Sequence, residues 1–246
     1  SGLVLGDGLL TKVGMGTLSF SGPNNSYAGN IDVQAGTFIA GSLGDGGTVT
    51  LATDTTFQAL GSFTTSDRDF LINGPATIVV DMNDSFNSSG TFTGTDSLIK
   101  DGAGTFVLSN PNVGYTGSLL LNNGTIEVAS GASLATASVV VNPGSILTGD
   151  GVLGSVSSQG GRIEGNGDYS SIALDQNGTI APGNSIGIIT VAGNYTQAAG
   201  SVYEVEIQGT DSDQIVVGGT AALANGAILR IFEPAGTVPK GTSYDI

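Results

Sequence analysis

The sequence predicts an all-β solenoid with roughly 20–25 residues per coil. Glycine is frequent, with 41 Gly and only 7 Pro in 246 residues, as corners between many short strands require. Gly-Thr pairs recur at a spacing of 20 residues, from Gly16-Thr17 to Gly36-Thr37 and from Gly104-Thr105 to Gly124-Thr125. The hydrophobic fraction of 39% and the mean hydropathy of +0.22 argue against a disordered glycine-rich chain.

A longer internal repeat supports the solenoid, because residues 9–38 align without a gap to residues 97–126 at an offset of 88. The identical pairs are Leu10/Leu98, Lys12/Lys100, Gly14/Gly102, Gly16/Gly104, Thr17/Thr105, Ser21/Ser109, Pro23/Pro111, Asn24/Asn112, Tyr27/Tyr115, Gly29/Gly117, Gly36/Gly124 and Thr37/Thr125. Most of them are turn residues or a Thr that begins a strand. The repeat therefore preserves backbone geometry rather than chemistry.

The strands alternate between apolar and polar residues. Ile126 and Val128 fall on one face of their segment, and Thr125 and Glu127 fall on the other. The segment 202–208 shows the same pattern. A period of two with one polar face is what a coil with an apolar lumen and a hydrated exterior requires.

Residues 178–200 show this pattern of strands and corners most clearly. The apolar runs 186–191 and 195–199 are separated by turn signals at 181–184 and 193–194. Residues 54–97 are the least regular segment, for which we expect a longer loop or an uneven coil. Because the composition shifts near Gly160, we predict two parts of one solenoid: residues 1–148, with both repeats, and residues 149–246.

Charge and composition exclude several classes of function. Six Lys and Arg stand against 21 Asp and Glu, a formal net charge of -15, which disfavours binding to nucleic acid or to an anionic membrane surface. The absence of His and Cys excludes disulfides, a Ser-His-Asp triad, a Cys nucleophile and ordinary zinc sites within this sequence. No apolar run reaches the roughly 18 residues of a transmembrane helix.

Two sets of motifs resemble the passenger domains of bacterial autotransporters. The first copy of the repeat resembles the passenger-associated transport repeat through Lys12-x-Gly14-x-Gly16-Thr17-Leu18, Ser21-Gly22, Tyr27-x-Gly29 and Val33-x-Ala35-Gly36-Thr37, and the second copy departs from it at Asn110, Leu121 and Asn123. The C-terminal part resembles the passenger region that precedes the β-barrel of an autotransporter, in residues 178–187, 193–197, 212–221 and 241–244. Together these motifs cover about half of the chain.

The resemblance implies a right-handed parallel β-helix that is displayed on the bacterial cell surface or secreted. It further implies that the C-terminal part folds first and templates the rest during export, as an autochaperone. The implied partners are the protein's own C-terminal β-barrel translocator and a host-cell receptor or matrix, with a role as adhesin or toxin scaffold. The sequence starts at Ser1 without Met and ends abruptly at Ile246, so we expect a passenger fragment.

The alternative is a carbohydrate-active β-helical enzyme. Its candidate carboxylates are Asp67 and Asp69, which flank Arg68, and Asp211 with Asp213, since residues i and i+2 of a strand share a face. A groove holding several acidic residues beside Arg68 or Arg162 would support this alternative. Asp211–Asp213 is better explained as a turn in which Asp caps the backbone than as a catalytic pair.

The prediction is therefore a non-enzymatic protein with no catalytic, cofactor-binding or metal-binding residues. The isolated Gly-Asp-Gly triplets at 6–8, 44–46 and 149–151 lack the tandem spacing of calcium-binding repeats and are interpreted as turns. A pore-forming passenger is a third hypothesis, but no amphipathic membrane-seeking segment favours it.

Overall fold

The structure, a computed structural model, describes residues 3–111, 114–233 and 241–246. Asn112, which the repeat alignment pairs with Asn24, lies outside the described residues. The described residues form thirty β-strands and no helix. They therefore contain no helical segment that could cross a membrane.

The first fifteen strands are β1 (Leu5–Gly6), β2 (Leu10–Lys12), β3 (Thr17–Phe20), β4 (Ser26–Tyr27), β5 (Ile31–Val33), β6 (Thr37–Ala40), β7 (Thr48–Ala52), β8 (Thr55–Ala59), β9 (Phe63–Thr65), β10 (Asp69–Asn73), β11 (Ala76–Val80), β12 (Ser85–Ser88), β13 (Phe92–Gly94), β14 (Leu98–Asp101) and β15 (Thr105–Leu108). The remaining strands are β16 (Ser118–Leu121), β17 (Thr125–Val128), β18 (Ser133–Val141), β19 (Ile146–Gly149), β20 (Val152–Ser158), β21 (Arg162–Gly165), β22 (Asp168–Leu174), β23 (Thr179–Pro182), β24 (Ile188–Val191), β25 (Tyr195–Gln197), β26 (Val202–Gln208), β27 (Asp211–Ser212), β28 (Gln214–Val217), β29 (Ala221–Leu223) and β30 (Ile228–Phe232).

The strands stack in parallel into three main sheets that run along the solenoid. Sheet 1 has five strands in the order β13-β10-β7-β5-β2. Sheet 2 has thirteen strands and runs from β3 to β28. Sheet 3 has ten strands and runs from β9 to β26, which also pairs with β27 and β30. Non-consecutive neighbours in each sheet mean that the chain returns to a sheet after a full coil: the coils of β7–β9, β10–β12 and β13–β15 contribute one strand to each sheet, and the later coils alternate between sheets 2 and 3. The predicted all-β fold of stacked parallel coils is confirmed.

Coil length varies more than the sequence predicts. In sheet 2, Thr17 pairs with Thr37, which gives a coil of 20 residues. Further along, Val140 pairs with Ser157 and Ser157 with Ala173, so that these coils take 17 and 16 residues. The coils shorten because β18, β20 and β22, with 9, 7 and 7 residues, run through the position where earlier coils turn a corner between sheets 1 and 2.

The expectation of an irregular segment at 54–97 is wrong. This segment contains the complete strands β8 to β13, paired in register with their neighbours. Its polar residues form corners, where Asp54, Asp67 and Asn83 adopt φ angles of 58°, 53° and 70°. Asp and Asn tolerate this left-handed conformation better than other non-glycine residues, so the polar composition marks corners rather than a loop.

The lumen of the first coils is filled by a column of phenylalanines in edge-to-face, tilted and stacked contacts. Phe38 lies 5.1 Å from Phe20 and 6.0 Å from Phe57, measured between ring centroids, and Phe86 lies 5.2 Å from Phe57 and 5.5 Å from Phe106. Each such pair adds about 0.5–1.5 kcal/mol beyond the burial of its area. The later coils are filled mainly by Val, Leu and Ile. The alternating faces predicted from the sequence are thereby confirmed for Ile126 and Val128, which are both fully buried.

Candidate functional site

Each copy of the long repeat contains a buried lysine that binds backbone carbonyl groups. The Lys100 side chain is 0% exposed, and its Nζ donates to the carbonyl oxygens of Asp101 at 3.0 Å, Gly102 at 2.7 Å and Asn123 at 3.0 Å. Lys12 makes the equivalent contacts in the first copy, with the carbonyl oxygens of Val13, Gly14 and Ala35. The third acceptor lies in the next coil, so each ammonium group joins two coils. We call Lys12 and Lys100, with their acceptors, the lysine clamps.

The glycines of the repeat shape the corner that the lysine clamp holds. Gly124 has a φ of 74°, and a Cβ atom there would lie 2.5 Å from the carbonyl oxygens of both Gly102 and Gly104. Gly36 has a φ of 72° and would meet the Gly16 carbonyl oxygen at the same distance. The repeat therefore preserves a backbone contact between coils, as predicted. The lysines have no role in the sequence-based prediction, although a single Lys among the apolar residues of a strand in an acidic chain can indicate a buried contact of this kind.

Arg68 is a third buried cation and does not line a groove. Its side chain is 0% exposed and donates to the carbonyl oxygens of Gly44 and Gly29, at 2.9 and 3.1 Å, and to that of Tyr27. Burial lowers the pKa of the Arg68 guanidinium.

The carboxylates beside Arg68 point elsewhere. Asp67 is exposed at a corner, and the Oδ1 atom of Asp69 accepts a hydrogen bond from the backbone N–H of Thr91 at 2.8 Å. The acidic groove beside Arg68 that the enzyme hypothesis requires is therefore not formed.

Arg162, in contrast, lies in an acidic groove on the outer face of sheet 3. Its Nε atom is 2.7 Å from Glu164, and its NH1 atom is 2.6 Å from Glu204, whose other carboxylate oxygen is 2.7 Å from Arg230. Burial opposes the charge of Arg162, but its hydrogen bonds to Glu204 and Glu164 prevail and raise its pKa. The four side chains thus form a fixed ion-pair network that spans β21, β26 and β30.

The groove exists because the coil between Arg162 and Glu204 contributes only small or rigid residues. Ala181, Pro182 and Gly183 line a cavity of about 340 Å³ together with Arg162 and Glu204. Ala181 and Pro182 belong to β23, and the corner predicted at 181–184 begins at Gly183, with a φ of 74°.

A second cavity continues the groove towards the N-terminus. It has a volume of about 300 Å³, shares Glu164 and Asn184 with the first cavity, and adds Glu127 and Asp150. We call the two cavities the C-terminal groove. Among the residues that the structure describes, no group of three or more His, Cys, Asp or Glu side chains could hold a metal ion.

Asp213 forms a brace beneath the groove. It is 1% exposed, and its two carboxylate oxygens accept hydrogen bonds from the backbone N–H groups of Gly187 at 2.8 Å and Glu206 at 2.7 Å. Burial raises the pKa of the Asp213 carboxyl group. The predicted capping role of Asp is confirmed for Asp213, whereas Asp211 is exposed and lies in β27 rather than in the turn. The two carboxylates therefore do not share a face.

A fold of stacked parallel coils with two lysine-clamped repeats defines a β-helical scaffold. Comparison with known proteins gives its relationships. The family model of the passenger-associated transport repeat matches residues 10–40 and 98–128. The chain is also 38% identical, over 138 residues, to the adhesin BmaC autotransporter of Brucella suis biovar 1 (strain 1330).

These findings confirm the resemblance to autotransporter passenger domains. The similarity covers 50% of this chain but only 4% of the Brucella adhesin. The matched repeats are those identified in the sequence at 9–38 and 97–126. A passenger of this kind is exposed on the cell surface or secreted, which confirms the predicted location.

Proposed function

We propose that this chain is a non-enzymatic β-helical stalk of an adhesin-like passenger, and that its C-terminal part, residues 149–246, folds first and assists export. The observation that carries the proposal is the antiparallel pairing of β26 with β27, which stands among otherwise parallel strand pairs in the described part of the chain. Parallel strand partners in this solenoid are 16 to 26 residues apart in sequence, as in the pairs Val152 with Asp168 and Val202 with Ile228.

The β26–β27 hairpin closes over a much shorter loop. Ile207 pairs with Ser212, and the turn between them contains Gly209 with a φ of 64°. Short loops lose less chain entropy on closure, so local pairs form before distant ones. The Asp213 brace follows the hairpin directly and ties it to Gly187 and Glu206. This cluster is a favourable starting point for folding.

If the C-terminal end of the passenger emerges first, early folding of this cluster assists export. A folded coil presents the unpaired N–H and C=O groups of its edge strands, onto which the next coil to emerge adds in parallel. Each added coil buries apolar side chains such as Ile180 and Ile163, which are both fully buried here. Stepwise burial outside the cell would bias the chain against sliding back. In this proposal the partners are the protein's own β-barrel translocator and a host-cell receptor or matrix.

The carbohydrate-active enzyme remains the second candidate, because the C-terminal groove holds several acidic residues beside Arg162. The ion pairs favour binding over catalysis, since Glu164 and Glu204 both accept hydrogen bonds from the Arg162 guanidinium. A general acid must instead have a proton to donate to the leaving group.

The experiment compares Tyr203→Asp with Ile188→Asp in the full-length passenger. Tyr203 is 7% exposed and packs in the C-terminal coils, so a carboxylate there should block their folding. Ile188 belongs to the same C-terminal part but is 48% exposed, so it serves as the matched control. We expect surface yield to fall at least about tenfold for Tyr203→Asp and to stay within about twofold for Ile188→Asp. Normal yield and protease resistance of Tyr203→Asp would contradict the autochaperone role.

A further inference from the structure

We infer that the C-terminal groove binds a non-acidic oligosaccharide, with amino-bearing sugars bound most tightly. This inference rests on the proposed adhesin-like role and gives it a ligand class. It assigns a task to side chains that the folding proposal does not use, because Arg162, Glu164 and Glu204 point outward from sheet 3 rather than into the lumen.

The size of the groove suits a short segment of a glycan. Its two cavities, of about 340 and 300 Å³, meet at Glu164 and Asn184 and follow the direction in which the coils stack. Pockets for small ligands measure about 300–1,000 Å³. The trough crosses several coils, from Glu127 on β17 to Glu206 on β26, so that it is longer than one sugar ring.

The polar side chains of the groove are held rigid before any ligand arrives. The Glu204 carboxylate is fixed by Arg162 at 2.6 Å and by Arg230 at 2.7 Å, and its side chain is only 14% exposed. Planar carboxylate and guanidinium groups in fixed positions offer paired acceptors and donors to neighbouring hydroxyl groups. Because the side chains are already ordered, binding loses less of their entropy.

An exposed aromatic ring supplies an apolar contact at the edge of the groove. Phe232 lines the first cavity, is 45% exposed, and faces outward beside Glu206, with which it is paired in register. A flat aromatic ring packs well against another apolar surface. The C–H face of a sugar ring is such a surface, while the hydroxyl groups at its rim reach the charged side chains.

The charge of the groove selects among sugars. Its lining includes the carboxylates of Glu127, Asp150, Glu164, Glu204 and Glu206, against the guanidinium of Arg162 and that of Arg230, which pairs with Glu204. Acidic sugars are repelled by this excess of negative charge, and the net charge of -15 of the whole chain adds to the repulsion. Ammonium groups of amino sugars are attracted. The expected order of affinity is amino, then neutral, then acidic oligosaccharides.

The test measures binding of three tetrasaccharides to the 246-residue chain by isothermal titration calorimetry: a glucosamine tetramer, cellotetraose and tetragalacturonate. We expect the first to bind at least about fivefold more tightly than the second, and the third to show no binding. Mass spectrometry of the sugars after incubation should find them intact. Cleavage would overturn the binding-only account in favour of the enzyme hypothesis.

Variants locate the site. Glu204→Gln keeps the shape of the side chain, and Phe232→Ala removes the ring without touching the ion pairs, so each should weaken binding at least about tenfold. The matched controls are Asp32→Asn and Leu71→Ala on the outer face of sheet 1, which should bind like the parent chain. Circular dichroism establishes that all four variants are folded.

The inference is overturned if the folded chain binds neither non-acidic probe, if it prefers the acidic one, or if the groove variants bind as well as the controls. Failure of the proposed function is a separate result. A passenger with Phe232→Ala that reaches the surface and still adheres to host cells would keep the adhesin role and show that sugar binding in the groove is not what adheres. A parent chain that binds the sugars but does not support adhesion would keep the groove as a sugar-binding site and contradict the adhesin role.

Discussion

At the scale of the residue, the notable feature is the use of positive charge inside an acidic protein. The chain has only six Lys and Arg, and Lys12, Arg68 and Lys100 are each buried against three backbone carbonyl groups. Burying a charge is unfavourable unless it is well hydrogen-bonded, and the three hydrogens of an ammonium group match three acceptors. Arg162 and Arg230 are engaged by Glu204. Lys240 lies outside the described residues.

Replacing Lys100 by Met should destabilise the fold by roughly 2–4 kcal/mol. The substitution keeps the bulk of the side chain but leaves the carbonyl oxygens of Asp101, Gly102 and Asn123 without this donor. The free energy of unfolding is measured by urea titration. The control is Ile99→Thr, on the outer face of the same strand, where Thr77 already occupies the neighbouring position. A loss for Lys100→Met no larger than that of the control would show that the clamp contributes little.

The stability of the fold should pass through a maximum at alkaline pH. Burial lowers the pKa of Lys100 to about 8, against about 10.4 in an unfolded chain. Between these values the unfolded state binds more protons, so stability rises with pH. Burial raises the pKa values of Tyr169, Tyr195 and Tyr203 above the usual value of about 10. Unfolded tyrosines lose their protons first, so stability falls above about pH 10.

The measurement of this pH dependence is a series of urea titrations from pH 7 to 11. Lys100→Met should lose the rise that begins near pH 8 and keep the fall above pH 10, because the buried tyrosines are unchanged. A rise of equal size in the variant would assign it to a group other than Lys100.

At the scale of the element, corners determine where the strands lie. The sequence located the corners of the repeat at Gly14, Gly36, Gly102 and Gly124, all at positive φ, and the gapless repeat predicted the coil length in the first half. It could not reveal that β18, β20 and β22 would run through a corner, because that depends on the register with neighbouring coils, where β18 and β20 shift between Leu134 and Ser138. The prediction of a longer loop or an uneven coil at 54–97 failed because polar residues there, such as Asp67 and Asn83, form corners.

Gly124→Ala should cost at least about 3 kcal/mol, and Gly144→Ala about 1–2 kcal/mol. Both glycines have positive φ, at 74° and 80°, so both variants are strained. Only at Gly124 would the new Cβ atom also lie 2.5 Å from two carbonyl oxygens of the previous coil, whereas at Gly144 nothing lies within 4 Å. Thermal and urea unfolding measure the difference. Equal losses would mean that the coils move apart easily, contrary to a corner held by the lysine clamp.

At the scale of the whole molecule, the class of protein was predictable and the site was not. The repeats at 9–38 and 97–126 were specific enough to indicate the passenger class, and the family match confirms them. The C-terminal groove joins Arg162 to Glu204 across 42 residues, and no spacing in the sequence predicts that contact. The sequence did name Arg162 as the possible centre of an acidic groove. The division into residues 1–148 and 149–246 stays a prediction.

The order in which the coils fold tests the central claim most directly. The 246-residue chain is refolded from urea, and pulsed hydrogen exchange with mass spectrometry follows the protection of each strand over time. The account predicts that residues 188–217, with the hairpin and the Asp213 brace, are protected first, and that strands β2 to β8 follow. Protection that appears first in β2 to β8, or in all coils at once, would contradict it.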